Sequence, residues 1–578
     1  MIRNSIINHS RWFLFPSFFV RYLSNQNRSI VKNFDKKLFD YFYACRLKEF
    51  NNNREQMSDH IRTHIESILK TSSALNYLIS LNSTNQQQLL SLTISIEQLR
   101  DILFFAYEHN IKLNLIVKHL IQCVSSNANH KLDSNLFIEL MNLLVLHQQK
   151  YYDITTKDPN EILQKFINHL ELSLTKDQIK TISLTDLSLL CSAMYRLQIS
   201  LKNVNLLDYI AQYLIDDEKK KYLSAVDKQN FIKMLTLSNY GEKTVAESLA
   251  NRFNQSFEQH MRPNLHLLSY EIVRMTMRIG IYFSMFRFYS DRFFENCWKL
   301  IELESNSSMP SYRAKDIIQI MNTLIYMGYI RKTSLKYLDL IRTHQQMNQF
   351  NGKSERLVDV LAPLAMINCF PEDLLEQLFT KENLNRLTES RMKEKLFFIS
   401  QSYRIVCASS QRSLLDQNYL KTLPHHLFGS WEIEKRKRPY FSIVMQRLLE
   451  CVPDRLCVKS AFLLKHFKSP DIIICLNAKQ QPQIIPNGTM KNISTFTEDD
   501  CSVFALQVLS EEELCTNESF RPLGLFYSKA HQLKKLKYIP VIVYPNDSLH
   551  QIKTKNEVFE WIVQRAQKTE LLLNENLL

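Results

Sequence analysis

Glycine and proline are scarce in this chain. Only 7 glycines and 15 prolines occur among its 578 residues. Glycine supplies the left-handed turns and close backbone approaches of many β-rich folds and phosphate loops. Its scarcity therefore argues against sandwiches, propellers and glycine-rich nucleotide loops, and favours long helices with short connections. The length exceeds what one compact core usually supports, so at least two structural units are expected.

Paired cysteines are also missing. The eleven cysteines are scattered, and no CxxC pair occurs. The closest two, Cys451 and Cys457, have no histidine nearby at zinc-finger spacing. This placing is typical of reduced, mostly buried thiols in a non-oxidising compartment. The sequence therefore predicts no metal site and no cofactor.

The first 34 residues lack any acidic side chain. The first acid is Asp35, and serines and an amphipathic apolar patch lie among the basic residues. This pattern predicts a mitochondrial transit peptide over 1–34 and a location in the matrix. A secretory signal is a poorer match because Pro16 and Arg21 interrupt the apolar core, and a disordered basic tail is the remaining alternative. The basic residues are Arg3, Arg11, Arg21, Arg28 and Lys32.

Long apolar runs are absent as well. No segment reaches the roughly 20 consecutive apolar residues that a membrane-spanning helix needs. No membrane span is therefore predicted anywhere in the chain.

Apolar residues at three- and four-residue spacing predict helices from about residue 94 to residue 410. A loose helix-turn-helix pattern recurs at roughly forty-residue intervals. We expect Gly241, Gly280 and Gly328 to end first helices of such pairs. The pattern predicts a mainly α protein with an α-helical repeat array over 94–430, preceded by a helical or linker region at 35–93. It resembles the degenerate repeats of organellar RNA-binding proteins, although a protein-binding helical scaffold has the same periodicity.

The charge balance suits a polyanionic partner. With 72 basic and 58 acidic residues the net charge is +14. Aromatic and basic residues interleave over 282–293, where Arg287 and Arg292 are candidate phosphate contacts. The aromatics there fall at helical spacing and are predicted to be core. A second basic segment suits a phosphate patch, a solvated loop or a nuclear import signal; it comprises Lys435, Arg436, Lys437 and Arg438.

The chain beyond about Arg455 alternates strand and helix patterns. β-branched runs predict strands at 470–476, 502–509 and 538–544. A basic helix is expected over 527–537, and a last helix capped by Thr554 or Asn556. This order predicts a small α/β unit with a mixed or parallel sheet. Between 521 and 570 nine basic and four acidic residues leave a net charge of +5. The candidate RNA contacts on the basic helix are Lys529, Lys534, Lys535 and Lys537.

The segment 519–570 resembles the RAP domain, which closes proteins of the FAST kinase domain-containing family. The order of a Leu-Gly pair, a basic helix, a strand and a final helix matches that domain. The resemblance implies that residues 431–518 form a connecting region and the first strands of the α/β unit. It implies a mitochondrial RNA-binding protein that regulates RNA stability, processing or translation, with mitoribosome or RNA-granule proteins as partners. The matching residues are Leu523, Gly524, Lys529, Leu533, Leu536, Tyr538, Val541, Val543 and Pro545.

Neither of the two enzymatic activities that this resemblance suggests is supported by the sequence. The glycine-rich loop, His-Arg-Asp loop and Asp-Phe-Gly site of a kinase are absent. RAP domains also resemble the PD-(D/E)xK nuclease fold, whose carboxylates hold a divalent metal ion beside a lysine. Asp471 can take the first position, but Gln507 and Leu509 replace the expected acid and lysine. We predict no enzymatic activity, with a metal-dependent endoribonuclease as the alternative.

Overall fold

A computed structural model describes most of the chain from residue 133 onward. The predicted transit peptide and most of the region up to residue 132 lie outside the described residues. The described ranges are 133–151, 158–261, 270–305, 313–329, 334–346, 354–407, 437–485, 501–518, 520–545, 547–552 and 554–575, with residues 96, 99–100, 103, 414–416, 419–420 and 423.

The described residues form two compact units, one up to residue 248 and one from residue 249 onward. The boundary falls inside the predicted array, and the C-terminal α/β region belongs to the same unit as the array's second part. The first unit contains α1 Ser134–Tyr151, α2 Asp158–Leu172, α3 Lys176–Lys180, α4 Leu184–Leu197, α5 Val204–Ile215, α6 Ala225–Leu237 and the beginning of α7 Lys243–Met261.

The second unit continues with helices and ends in a sheet flanked by helices. Its helices are α8 Tyr270–Phe286, α9 Asp291–Ser305, α10 Ala314–Tyr326, α11 Ser334–Gln346, α12 Ser354–Met366, α13 Glu372–Leu378, α14 Lys381–Arg386, α15 Ser390–Val406, α16 Pro439–Cys451, α17 Gly524–Lys535 and α18 Lys555–Glu575. Its strands are β1 Val458–Ala461, β2 Asp471–Asn477, β3 Pro482–Gln483, β4 Cys501–Val508 and β5 Ile539–Val543. The prediction of a mainly helical chain with a small C-terminal mixed sheet is confirmed.

One turn geometry recurs along the helical part. Five helices end next to a residue in the left-handed conformation, at positions 198, 239, 287, 328 and 368. The intervals are therefore 41, 48, 41 and 40 residues. In each case the residue after the left-handed one donates its backbone N–H to the carbonyl five residues before it, as in a Schellman cap. The bonds are Ile199 to Met194, Tyr240 to Leu235, Phe288 to Phe283, Tyr329 to Leu324 and Cys369 to Leu364, at 2.8–3.0 Å.

Only one of the three predicted glycine stops has this role. Gly328 has φ +72° and follows α10, as predicted. The prediction is wrong for Gly241, because Asn239 takes the left-handed position, and for Gly280, which lies inside α8. There a Cβ would come within 3.1 Å of Thr323, so Gly280 allows a close approach between α8 and α10.

Within each unit the first helices of successive pairs pack side by side. In the first unit α4 packs against α1 and α6, and in the second α8 packs on α10, α10 on α12, and α12 on α15. Polar side chains fix where several of these helices begin. Ser183 accepts a hydrogen bond from Asp186 N, and Ser224 forms a reciprocal capping box with Asp227.

The C-terminal sheet has the strand order β1-β2-β4-β5, with β3 also paired to β2. Strand β2 is antiparallel to β1 and β4, whereas β4 and β5 are parallel and joined through α17. Side chains of a strand alternate between the two faces. One face, including Ile474 and Leu506, packs on Val444 of α16 and Ile562 of α18. The opposite face carries Asp471 and is covered by α17.

Candidate functional site

Helix α17 corresponds to the basic helix for which the sequence predicts four RNA contacts, Lys529, Lys534, Lys535 and Lys537. It begins at Gly524 and ends at Lys535, three residues before the predicted start and two before the predicted end. Lys537 adopts a left-handed φ of 66°, and Tyr538 N donates to Leu533 O at 3.0 Å. Two lysines in the last turn interact favourably with the negative end of the helix dipole. The helix packs on α10, α12 and α15 as well as on β5, so much of its surface is buried.

Lys529 is not available to RNA in this structure. Its side chain is only 1% exposed, and Nζ lies 2.6 Å from the carboxylate of Asp471. The same ammonium donates to Ser469 O at 2.8 Å and Ser469 Oγ at 2.9 Å. A buried lysine must satisfy its three donors internally, and this set does so. Contrary to the prediction from the sequence, Lys529 is therefore not at the surface where it could contact RNA.

The three lysines at the end of α17 lie at the surface. The side chain of Lys534 is 51% exposed, with Nζ 2.5 Å from a carboxylate oxygen of Glu570 on α18. Lys535 and Lys537 are exposed, as is Lys568 on the neighbouring α18. An exposed ion pair such as that of Lys534 is weak in water, so it competes little with a phosphate. These positions form the α17 lysine cluster, which we define as Lys534, Lys535 and Lys537.

The three nuclease-like positions are buried. Asp471 is 0% exposed, and the antiparallel register of β2 and β4 places it next to Gln507 on the neighbouring strand. Leu509 follows β4 and is also buried. The ammonium group beside Asp471 belongs to Lys529 on α17. Burial raises the pKa of the Asp471 carboxyl and lowers that of the Lys529 ammonium, while their contact opposes both shifts.

Buried polar contacts connect this region to the helical part of the same unit. The Nε2–H of His466 donates to Gln532 Oε1 at 2.9 Å, and Gln532 Nε2 donates to Ser402 Oγ of α15 at 3.0 Å. Burial lowers the pKa of His466 to about 3, so its ring is neutral at physiological pH. Lys468 also forms an ion pair with Glu394 of α15. These contacts hold α17 between the sheet and α15.

The second basic segment is only partly described. Lys435 and Arg436 lie outside the described residues, and Lys437 is half-buried. Arg438 is buried, forms an ion pair with Glu513 and donates to Val508 O at 2.8 Å. Contrary to the prediction from the sequence, Arg438 is therefore not exposed to a phosphate, because its guanidinium is buried against Glu513 and Val508.

Both candidate arginines near α8 have partners within the protein. Arg287 follows α8, and its Nη1 donates to Glu511 O at 2.5 Å. Arg292 is 62% exposed but makes a two-pronged ion pair with Glu258 of α7, at 2.5 and 2.6 Å. Neither is therefore a preformed phosphate site. The aromatic residues of the 282–293 segment are largely core as predicted; Tyr282, Tyr289 and Phe293 are buried, and Phe286 is half-buried.

Two features escaped the sequence reasoning. Gly524 at the start of α17 lies so close to the end of α10 that a Cβ would sit 1.8 Å from Ile325 O. Lys315 at the start of α10 lies near Arg274 and Arg278 of α8. The spacing of those two arginines, i and i+4 on one helix face, was a usable signal. No local pattern could show that α10 packs against these arginines, because α10 lies about forty residues further along the chain.

Among the described residues no group of three or more His, Cys, Asp or Glu is arranged to hold a metal ion. None of the helices searched in that same part of the chain combines the length and hydropathy needed to cross a membrane. Comparison with protein-family models finds no match to this chain, and comparison with curated proteins finds none either.

Proposed function

We propose that this chain is a non-enzymatic RNA-binding protein of the mitochondrial matrix that regulates the stability, processing or translation of mitochondrial transcripts. The observation that carries the proposal is the exposed α17 lysine cluster, in which two of three ammonium groups have no carboxylate within 4 Å in the described part of the chain. Closely spaced cations bind polyphosphate chains by releasing counterions. The sequence pattern of residues 1–34 supports the mitochondrial location, and RNA-granule or mitoribosome proteins are proposed partners.

The recurring helix pairs support a repeat array as the main RNA-holding surface. Left-handed turns return at intervals of 40 to 48 residues, and the first helices of successive pairs stack within each unit. Stacked helical pairs generate extended surfaces that suit a single strand. We propose that the array holds single-stranded RNA and that the C-terminal RAP-like module adds phosphate contacts.

Charge reversal of the α17 lysine cluster tests the proposal. Changing Lys534, Lys535 and Lys537 to Glu should weaken binding of a 20-nucleotide single-stranded RNA at least tenfold. The slope of log affinity against log salt should become shallower by about 2, since each lost contact contributes roughly 0.7 for a single strand. Fluorescence anisotropy at several salt concentrations measures both. Reversal of Lys465, Lys479 and Lys555, which are exposed and lie outside the array, is the matched control, and equal effects of the two triple variants would count against a specific role for α17.

The RNA that the protein holds in cells can be identified by ultraviolet crosslinking in mitochondria. We expect recovery of mitochondrial transcripts with the wild-type protein and reduced recovery with the triple Glu variant. Failure to crosslink any RNA would favour the alternative of a protein-binding helical scaffold.

Metal-dependent RNA cleavage is not expected. The Asp471 carboxylate is buried and paired with Lys529, so it offers no open position for Mg²⁺ and substrate. Purified protein with Mg²⁺ should leave mitochondrial RNA intact over hours on a denaturing gel. Cleavage by the wild type that Asp471→Ala abolishes would establish the endoribonuclease alternative instead.

A further inference from the structure

Helix α10 carries a polar stripe on a surface that is buried. Lys315, Gln319 and Asn322 follow the spacing i, i+4 and i+7, which places them on one helix face. The stripe extends roughly 10 Å along the helix. Gln319 is 1% exposed and Asn322 is 2% exposed. A buried helix face is normally apolar, so this stripe requires an explanation.

Three of the four polar amide atoms of the stripe have no hydrogen-bond partner among the residues that the structure describes. Neither Oε1 of Gln319 nor either polar side-chain atom of Asn322 is bonded, and the adjacent Thr323 Oγ1 is also unpaired. Each such buried group destabilises the fold when it is left unsatisfied. Native proteins retain few of them, and several on one helix face point to a ligand that supplies the missing bonds.

Cationic groups lie at the N-terminal end of the same stripe. Lys315 is influenced by the guanidinium groups of Arg313, Arg278 and Arg274, and by the carboxylate of Asp316. Arg313 holds Asp316 through two bonds of 2.7 and 2.9 Å. Burial, followed by the charge of Arg313, lowers the pKa of Lys315 to about 8. The local potential is therefore suited to an anion.

We infer that this α10 stripe, with Arg274 and Arg278 of α8, binds a nucleotide, with the cations on its phosphate and the two amides on its base edge. A phosphate alone does not satisfy the stripe, because the amide oxygens need donors and a phosphodiester has none. A nucleobase presents both donors and acceptors, and Asn and Gln are suited to pair with its edge. The nucleotide comes either from single-stranded RNA, which rests on the proposed function, or from a free nucleoside monophosphate.

Because Gln319 and Asn322 are buried, the elements that pack around α10 must move before a ligand can reach their amides. Association at the stripe should therefore be slower than at the exposed α17 lysine cluster. A step of this kind appears as a second, slower phase in stopped-flow binding.

The test uses the full-length protein and replaces Gln319 and Asn322 together by Leu. Removing unpaired polar groups should leave the melting temperature unchanged or raised. RNA affinity, measured with a mixed-sequence 20-mer, should nevertheless fall about tenfold or more, since good base contacts contribute this much each. A lower melting temperature with unchanged RNA affinity would show that the stripe is only structural and overturn the inference.

The pH profile gives a second, independent readout. Lys315 is charged below its pKa of about 8, so RNA affinity should fall as pH rises from 7 to 9. Lys315→Arg keeps the charge across that range and should flatten the profile, whereas Lys315→Met should be weak at every pH. A wild-type profile that Lys315→Arg leaves unchanged would contradict the assignment of Lys315 to the phosphate.

Competition distinguishes the two sources of the nucleotide. AMP, GMP, CMP and UMP at millimolar concentration should displace RNA only if the stripe accepts free nucleotides. Wild-type binding that depends on the α17 lysine cluster but not on the α10 stripe would overturn this inference and leave the proposed function standing. Absence of binding to both RNA and mononucleotides would overturn both.

Discussion

Gly524→Ala should destabilise the second unit by about 3 kcal/mol or more, at the upper end of what overpacking costs. The added Cβ would lie 1.8 Å from the carbonyl oxygen of Ile325 and 3.0 Å from its carbonyl carbon. These are backbone atoms at the end of α10, so no side-chain rotation relieves the overlap. Either α17 or the last turn of α10 must move, and both are packed on further elements.

Gly524 also lies close to the backbone of Gly328. The backbone nitrogen of Gly328 lies 3.3 Å from the position that a Cβ of residue 524 would take, and Gly328 itself has φ +72°. Its own added Cβ would come within 2.9 Å of the Tyr527 ring. Two glycines from segments almost two hundred residues apart thus allow the backbones of α10 and α17 to touch.

Differential scanning calorimetry with limited proteolysis measures the loss. We expect a lower melting temperature for Gly524→Ala and faster cleavage in the C-terminal module. Gly280→Ala is the graded control, because its Cβ would meet only the Thr323 side chain at 3.1 Å. Exposed Gly241→Ala should melt like the wild type. A Gly524→Ala protein as stable as Gly241→Ala would refute the close contact between α10 and α17.

The Leu523-Gly524 pair illustrates how far the sequence could lead. The pattern placed this pair before a basic helix, and a helix does begin there. The reason for the glycine, however, is a contact with α10, about two hundred residues earlier. Local patterns report periodicity and caps, whereas contacts at that separation leave no local trace. The same limit explains Gly280, whose role depends on Thr323 of another helix.

Side-chain roles were harder to predict than elements. The sequence predicts a basic helix over 527–537 whose lysines, including Lys529, are candidate RNA contacts. The helix is covered both by the sheet and by α10, α12 and α15, so the lysine that faces the sheet is buried. Arg438 was misjudged for a related reason, because its partner Glu513 is 75 residues away. Lys534, Lys535 and Lys537 lie at the surface because the helix ends beyond its packed part.

Removing one member of the buried ion pair between Asp471 and Lys529 should cost about 3–5 kcal/mol of unfolding free energy. Asp471→Asn leaves the Lys529 ammonium without its carboxylate, in a place where water does not reach. Lys529→Met leaves the Asp471 carboxylate buried without the ammonium group that neutralises it. Urea unfolding at pH 7, followed by tryptophan fluorescence, measures both losses.

The double variant Asp471→Asn with Lys529→Met separates an ion pair from independent packing effects. If the two charges serve mainly to neutralise each other, the double variant should lose much less than the sum of the single losses, because neither charge remains buried alone. Additive losses would mean that each side chain acts through other contacts, such as those of Lys529 with Ser469. The folded double variant should also bind RNA with wild-type affinity, since neither residue reaches the surface. A substantial loss of RNA affinity in a folded double variant would restore Lys529 as a contact and require α17 to lift from the sheet when RNA binds.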